Sequence, residues 1–187
     1  MNRHWLAIAT GLGIVFAVFA LAAPARAQVE RSDRQLLHDV IRRVNDYTRL
    51  TVFDNVGVAV RDGVVTLTGK VTMPYKRDDL GKRVLKVPGV RSVLNQIGVL
   101  PVSQDDNQLR YRIASAIYGN PSFWEYASLA NPPIHIIVDN GRVTLVGVVR
   151  SDVERVLARS LASVFGVMSL KNDLKTEAEL RAEEDVP

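Results

Sequence analysis

The chain has 187 residues, with 24 Lys and Arg against 20 Asp and Glu, three His and no Cys. The absence of Cys excludes disulfides, thiolate nucleophiles, thiolate metal sites and a lipid anchor carried on a Cys at a leader cut site. The formal net charge of +4 is too modest to mark the whole chain as a dedicated polyanion binder.

Arg3 and His4 precede an apolar run from Leu6 to Ala23, interrupted by Gly11 and Gly13, and Ala25-Arg26-Ala27 has the small-x-small form that signal peptidase cuts after. Residues 1–27 are therefore expected to be a signal peptide. The run is also long enough to span a bilayer if it is retained as an anchor. An exported chain without Cys suits a bacterial periplasm, where its stability must come from packing. Loss of Arg3 and Arg26 lowers the net charge from +4 to +2. The remaining charge is uneven: residues 33–101 carry +5, residues 102–176 carry +1 and residues 177–187 carry −4. A basic first half with an acidic tail implies weak attraction to an anionic surface, and no nucleic-acid partner is expected.

After the leader the chain repeats. Asp62-Gly63-Val64-Val65-Thr66-Leu67-Thr68-Gly69 aligns with Asn140-Gly141-Arg142-Val143-Thr144-Leu145-Val146-Gly147, five positions being identical at a shift of 78. Gly89-Val90 and Asn95 match Gly166-Val167 and Asn172 at a shift of 77, and Asp33 to Leu36 matches Asp106 to Leu109 at a shift of 73. The chain is thus expected to hold two homologous modules, at residues 33–101 and 104–176, followed by an acidic disordered tail over 177–187.

In chain order, Leu36, Leu37, Val40, Ile41 and Val44 repeat at helical spacing behind a Ser32/Gln35 capping box. Val56, Val58 and Val60 alternate as a strand. Asp62-Gly63 turns it, and Val65, Leu67 and Val71 return. Pro74 opens a second helix with Leu80, Val84 and Val87 inward, and a last strand is expected from Val90 to Leu100. The second module repeats this order. Its first helix carries Leu109, Ile113, Ala116 and Ile117; its hairpin runs from Ile134 through Asn140-Gly141 to Val149. A helix capped by Ser151 and Glu154 follows, with a stripe of Val153, Val156, Leu157 and Leu161, and then a strand from Val167 to Leu174. A strand–helix–strand step implies a right-handed parallel crossover. The expected fold is therefore α+β: two tandem α-β-β-α-β modules, each a three-stranded mixed sheet with two helices on one face. Gly63 and Gly141 serve the turns, Gly69 and Gly147 a bulge or close backbone approach. Gly89 and Gly166 are expected to cap the second helices.

The segments Val58 to Val71 and Gly89-Val90-x-x-Val93-x-Asn95, with their second copies Ile136 to Val149 and Gly166-Val167-x-x-Leu170-x-Asn172, resemble the BON domain family over nearly the whole chain after the leader. The resemblance implies a non-enzymatic periplasmic module that binds phospholipid or membrane surfaces, linked to envelope stress or integrity or to chaperoning. It implies no catalytic residues and no cofactor.

Three surfaces are candidates for contact. The first is the long connection of the second module, with Phe123, Trp124 and Tyr126, whose rings suit a membrane–water interface. Such aromatics equally suit an edge cover that folds back on the module. The second is the basic second helix of the first module, with Lys76, Arg77, Lys82, Arg83 and Lys86, which would attract anionic phospholipid; a solvated helix face is the plainer alternative. The third is the outer sheet face of the second module, with His135, Ile137, Val146 and Val148, which needs a cover. Module one, another copy of the chain, an envelope protein or lipid would each provide it. His38 and His135 are the only histidines beyond the leader, without HxH or HExxH spacing, and there is no P-loop or G-x-S-x-G, so no metal site and no catalysis are expected.

Overall fold

The computed structural model describes residues 32–184; the expected signal peptide lies outside the described residues. In the first module α1 (Asp33–Asn45) leads into β1 (Asn55–Arg61), β2 (Val64–Val71), α2 (Pro74–Leu85), β3 (Ser92–Asn95) and the two-residue β4 (Gly98–Val99). The second contains α3 (Gln104–Tyr118), a 3-10 turn (Pro121–Phe123), the short α4 (Trp124–Ala127), β5 (Ile134–Asp139), β6 (Arg142–Val149), α5 (Asp152–Ala162) and β7 (Ser169–Thr176), followed by α6 (Glu177–Glu184). The fold class is α+β, as expected. In each module the first pair of strands is antiparallel and the crossover strand is parallel to the middle one.

Alternation in the middle strands decides which face is buried. Val65, Leu67 and Val71 point onto Leu36, Val40 and Val44 of α1 and Leu80 and Val84 of α2, forming one core. Val143, Leu145 and Val149 do the same with Leu109, Ile113 and Ile117 of α3 and Ala158 and Ala162 of α5. Both helices of a module therefore cover the same face of its sheet.

The repeated polar residues hold backbone. Asp33 accepts from the Asp62 and Gly63 amides at 2.6 and 3.1 Å. Asp106 accepts from the Asn140 and Gly141 amides, both at 2.8 Å. A carboxylate in the first turn of each leading helix thus clamps a hairpin turn whose two residues all have positive φ, from 50° to 73°. Asn95 donates to the Arg77 carbonyl at 2.7 Å and Asn172 to the Arg155 carbonyl at 3.0 Å, each tying the last strand to the second helix.

Four expectations change. Gly89 and Gly166 do not cap the helices, which end at Leu85 and Ala162. They occupy the third place of following tight turns, with φ +98° and closing bonds from Val90 to Val87 and from Val167 to Val164. The strand expected over Val90 to Leu100 is split at Gln96–Ile97, where Ile97 is buried. The α5 stripe is rotated: Val153 and Val156 are 76% and 65% exposed while Ala158 and Ala162 are buried, because small side chains let α5 approach the sheet closely. The acidic tail is helical from Glu177 to Glu184. Thr176 and Glu179 make a reciprocal capping box, and Glu179 pairs with Arg155 at 2.8 Å.

Gly69 and Gly147 have φ of +101° and +129°. A Cβ at Gly69 would lie 2.2 Å from the Asn55 carbonyl oxygen, and one at Gly147 1.8 Å from that of Pro133. Gly147→Ala is expected to lower the stability of the second module by roughly 2 kcal/mol or more, read as a fall in Tm in a thermal melt.

Candidate functional site

Module one meets module two through the connection between α1 and β1. Thr51 and Asp54 bracket Val52 and Phe53 there. The Val52 carbonyl accepts from the Ile136 amide at 2.7 Å, on the free edge of β5. Phe53 packs against the second module's core and meets the Tyr111 ring edge-on, with centroids 5.3 Å apart. Lys70 reaches Asp139 at 2.6 Å, and the Asn131 amide reaches the Asn45 carbonyl at 3.4 Å. The His135 ring lies against the backbone of Asp54 and Thr51. The outer sheet face expected to need a cover is therefore met at His135 by module one itself.

Behind this connection lies a buried ion pair. Asp54 and Lys76 are 2% and 4% exposed, and Lys76 Nζ lies 2.6 Å from Asp54 Oδ2. Thr51 donates to Asp54 through its amide and hydroxyl at 2.8 and 2.9 Å, and Thr72 likewise at 2.7 and 2.9 Å. Burial works against ionisation of Asp54, but the bonds from Lys76, Thr72 and Thr51 outweigh it and hold the carboxyl below the usual carboxylate range. At the aligned place in module two, 78 residues on, Glu154 stands for Lys76 and Arg150 for Thr72. Glu154 accepts from the Tyr126 hydroxyl at 2.7 Å and pairs with Arg150 at 3.0 Å. The same corner of the fold is thus closed by opposite charges in the two copies.

This arrangement removes three residues from the expected contact surface. Lys76 is sequestered by Asp54. Phe123 is fully buried in the second core, and Tyr126, 8% exposed, is held by Glu154. For Phe123 and Tyr126 the edge-cover alternative is the correct one. Trp124 differs: it is 61% exposed, its indole N–H donating to the Gly119 carbonyl at 3.3 Å. Lys82, Arg83 and Lys86 are exposed, and Arg77 is half-buried and paired with Asp78 at 3.0 Å. Arg83 also lies over the Tyr47 ring. The sequence did not mark Asp54 as special. Its only signal was a carboxylate in a short connection beside two Thr.

Among the described residues no three His, Asp or Glu side chains gather as a metal site, and no helix is long and apolar enough to cross a membrane.

Asp54→Asn strands the Lys76 ammonium in a dry pocket and is expected to cost about 3–5 kcal/mol, while Asp54→Asn with Lys76→Met, which removes the buried charge and keeps an acceptor for Thr51 and Thr72, recovers part of it. Chemical denaturation of the three proteins measures both. Burial holds His135 below its ordinary imidazole range. A base depressed in the folded state favours unfolding once the unfolded chain takes up its proton. Stability therefore falls as pH drops below about 6.5, down to the folded pKa. His135→Gln should flatten that part of a stability–pH curve.

Comparison with known proteins agrees with the doubled fold. No curated protein matches the chain. Among solved structures, it is similar to CdsD, a structural protein of the type III secretion system of Chlamydia trachomatis, at 15% identity, covering 81% of this chain and 98% of that one with a TM-score of 0.29. The C-terminal domain of CdsD matches at 14% identity, covering 78% and 98%, also at 0.29. The BON domain profile matches residues 30–101 and again residues 105–178. Two clamped hairpins, two crossover strands and two matches in tandem place this chain in the BON domain family.

Proposed function

We propose that this protein is a non-enzymatic module of the bacterial envelope that docks peripherally on anionic phospholipid surfaces. BON domains are generally not catalytic. The observation that carries the membrane reading is the outer side of α2. Leu85, 56% exposed, stands among exposed Lys82, Arg83 and Lys86, and Tyr75 is exposed one helical face along. Cations around an apolar side chain suit a headgroup layer, where the ammonium groups meet phosphate and the alkyl part enters below it. Trp124 offers an aromatic anchor on the second module, whereas Arg77, paired with Asp78, adds no net charge at the start of α2. The localisation follows from the leader: residues 1–27 would direct export to the periplasm and be removed.

A second reading has its own support. Val153 and Val156 leave an apolar strip on the outside of α5, which suits a protein-interaction or chaperone-like role. Salt separates the two readings, because attraction between exposed charges is screened while apolar association is not.

The test is flotation of the chain from Gln28 onward, which contains both complete cores, with neutral and phosphatidylglycerol-containing vesicles. The membrane reading expects flotation only with the anionic vesicles, lost at high salt. Lys82→Glu with Lys86→Glu should weaken it by about tenfold or more, from roughly 1 kcal/mol per cation. A protein that stays at the bottom of every gradient rejects the reading.

A further inference from the structure

The most exposed aromatic side chain among the described residues lies neither on α2 nor at Trp124. Phe165 is 92% exposed, and Met168, three residues on, is 81% exposed. Phe165 lies within the turn that joins α5 to β7, and Met168 directly follows it. The turn is held firmly: Val167 donates to the Val164 carbonyl at 3.3 Å, and Gly166 takes φ +98°. Met168 donates through its amide to the Gly141 carbonyl at 2.9 Å, and its side chain lies over the hairpin glycine. Two large apolar side chains are thus displayed on a backbone tied to the sheet.

Module one has the same turn without this feature. At the shift of 77, Pro88 stands for Phe165 and Arg91 for Met168, with Arg91 lying over Gly63 as Met168 lies over Gly141. The fold therefore requires neither Phe nor Met there. The surroundings are cationic. Arg112 reaches within 3.3 Å of where a Gly166 Cβ would stand, Arg159 is in the last turn of α5, and Arg142 opens β6 opposite Ser169. Arg112 and Arg159 enter no ion pair among the described residues. Of the nearby carboxylates, Asp106 is taken by the hairpin amides and Asp139 by Lys70, leaving exposed Asp105.

We infer that the Phe165–Met168 turn is a membrane-insertion tip, entering the interfacial layer of an anionic phospholipid leaflet between arginines that hold the phosphates; this rests on the membrane reading above. A convex tip of two side chains favours lipid over a second copy of the chain. It offers a few hundred Å² at most, well below the roughly 1,200 Å² of a stable protein interface, whereas a bilayer needs no matching cavity. The tip is distinct from Trp124. Met168 sits by the N-terminal end of α3, where Asp106 holds the hairpin, and Trp124 sits past its C-terminal end at Gly119. The two are about 20 Å apart along the helix.

The experiment uses the same chain from Gln28 onward with phosphatidylglycerol-containing vesicles. Phe165→Ser with Met168→Ser should weaken flotation by at least about tenfold while circular dichroism and Tm stay at the parent values, since neither side chain is in a core. The chain lacks Cys, so Phe165→Cys gives a single site for an environment-sensitive dye. Its emission should shift to the blue on binding, and the same dye at Asp152→Cys, at the opposite end of α5, should not respond. If the parent floats and the double variant floats equally, the tip is rejected and the membrane reading stands. If Trp124→Ala rather than the double variant abolishes flotation, the tip is likewise rejected. Should the parent sediment as a dimer that the double variant dissolves, the occupant is a second copy and the lipid tip fails. A parent that floats with no vesicle rejects the membrane reading and this inference together.

Discussion

The Asp54 carboxylate accepts from the amide and hydroxyl of Thr51, the amide and hydroxyl of Thr72, and the Lys76 ammonium. Each oxygen is saturated, and the charge is matched where water does not reach. These bonds set the path of the connection from α1 to β1, and that path carries the contacts to the second module: the Val52 carbonyl on β5, Phe53 on Tyr111, and the backbone against which His135 rests. A buried pair of this kind is weak as a source of stability compared with apolar packing. Its effect is to give the connection one conformation, and through it to give the two modules one relation to each other.

The two copies show how a fold can be kept while its chemistry is exchanged. Hairpin clamps, helix–strand asparagines and strand glycines recur because each meets a backbone demand that does not change. The corner before the second helix is different. Lys76 faces Asp54 in one copy and Glu154 faces Tyr126 and Arg150 in the other. What the corner requires is a satisfied polar group, and either sign of charge provides it. The positions free to differ are those the backbone does not constrain: the outer side of α2, Trp124, and the turn at Phe165 and Met168. Function has to be sought there, because the repeated residues are already committed to holding the fold.

The sequence alone determined the doubled module, its element order and its hairpins. Alternation of Val and Leu, Asp-Gly and Asn-Gly turns and Ser caps act over a few residues, and their geometry is local. It also determined that any chemistry at this surface must work without thiols. The rotation of α5 was not legible. Val153, Val156, Leu157 and Leu161 form as good an apolar stripe as Leu157, Ala158, Leu161 and Ala162 until the distance of the helix from the sheet is known. Tertiary packing then chose the small alanines for the inner face.

The candidate site divides along the same line. Lys82, Arg83, Lys86 and Trp124 read as surface and are surface, because charge or a loop position predicts exposure. Lys76 reads the same way and is buried, and Phe123 and Tyr126, which the sequence left open between a contact surface and an edge cover, are buried too, because the groups that receive them, Asp54 for Lys76 and Glu154 for Tyr126, lie 22 and 28 residues away in the chain. Composition and spacing record which side chains are present and how often they recur. Whether a given Lys faces water or a carboxylate depends on a partner brought close by folding, and that was decided by the tertiary structure.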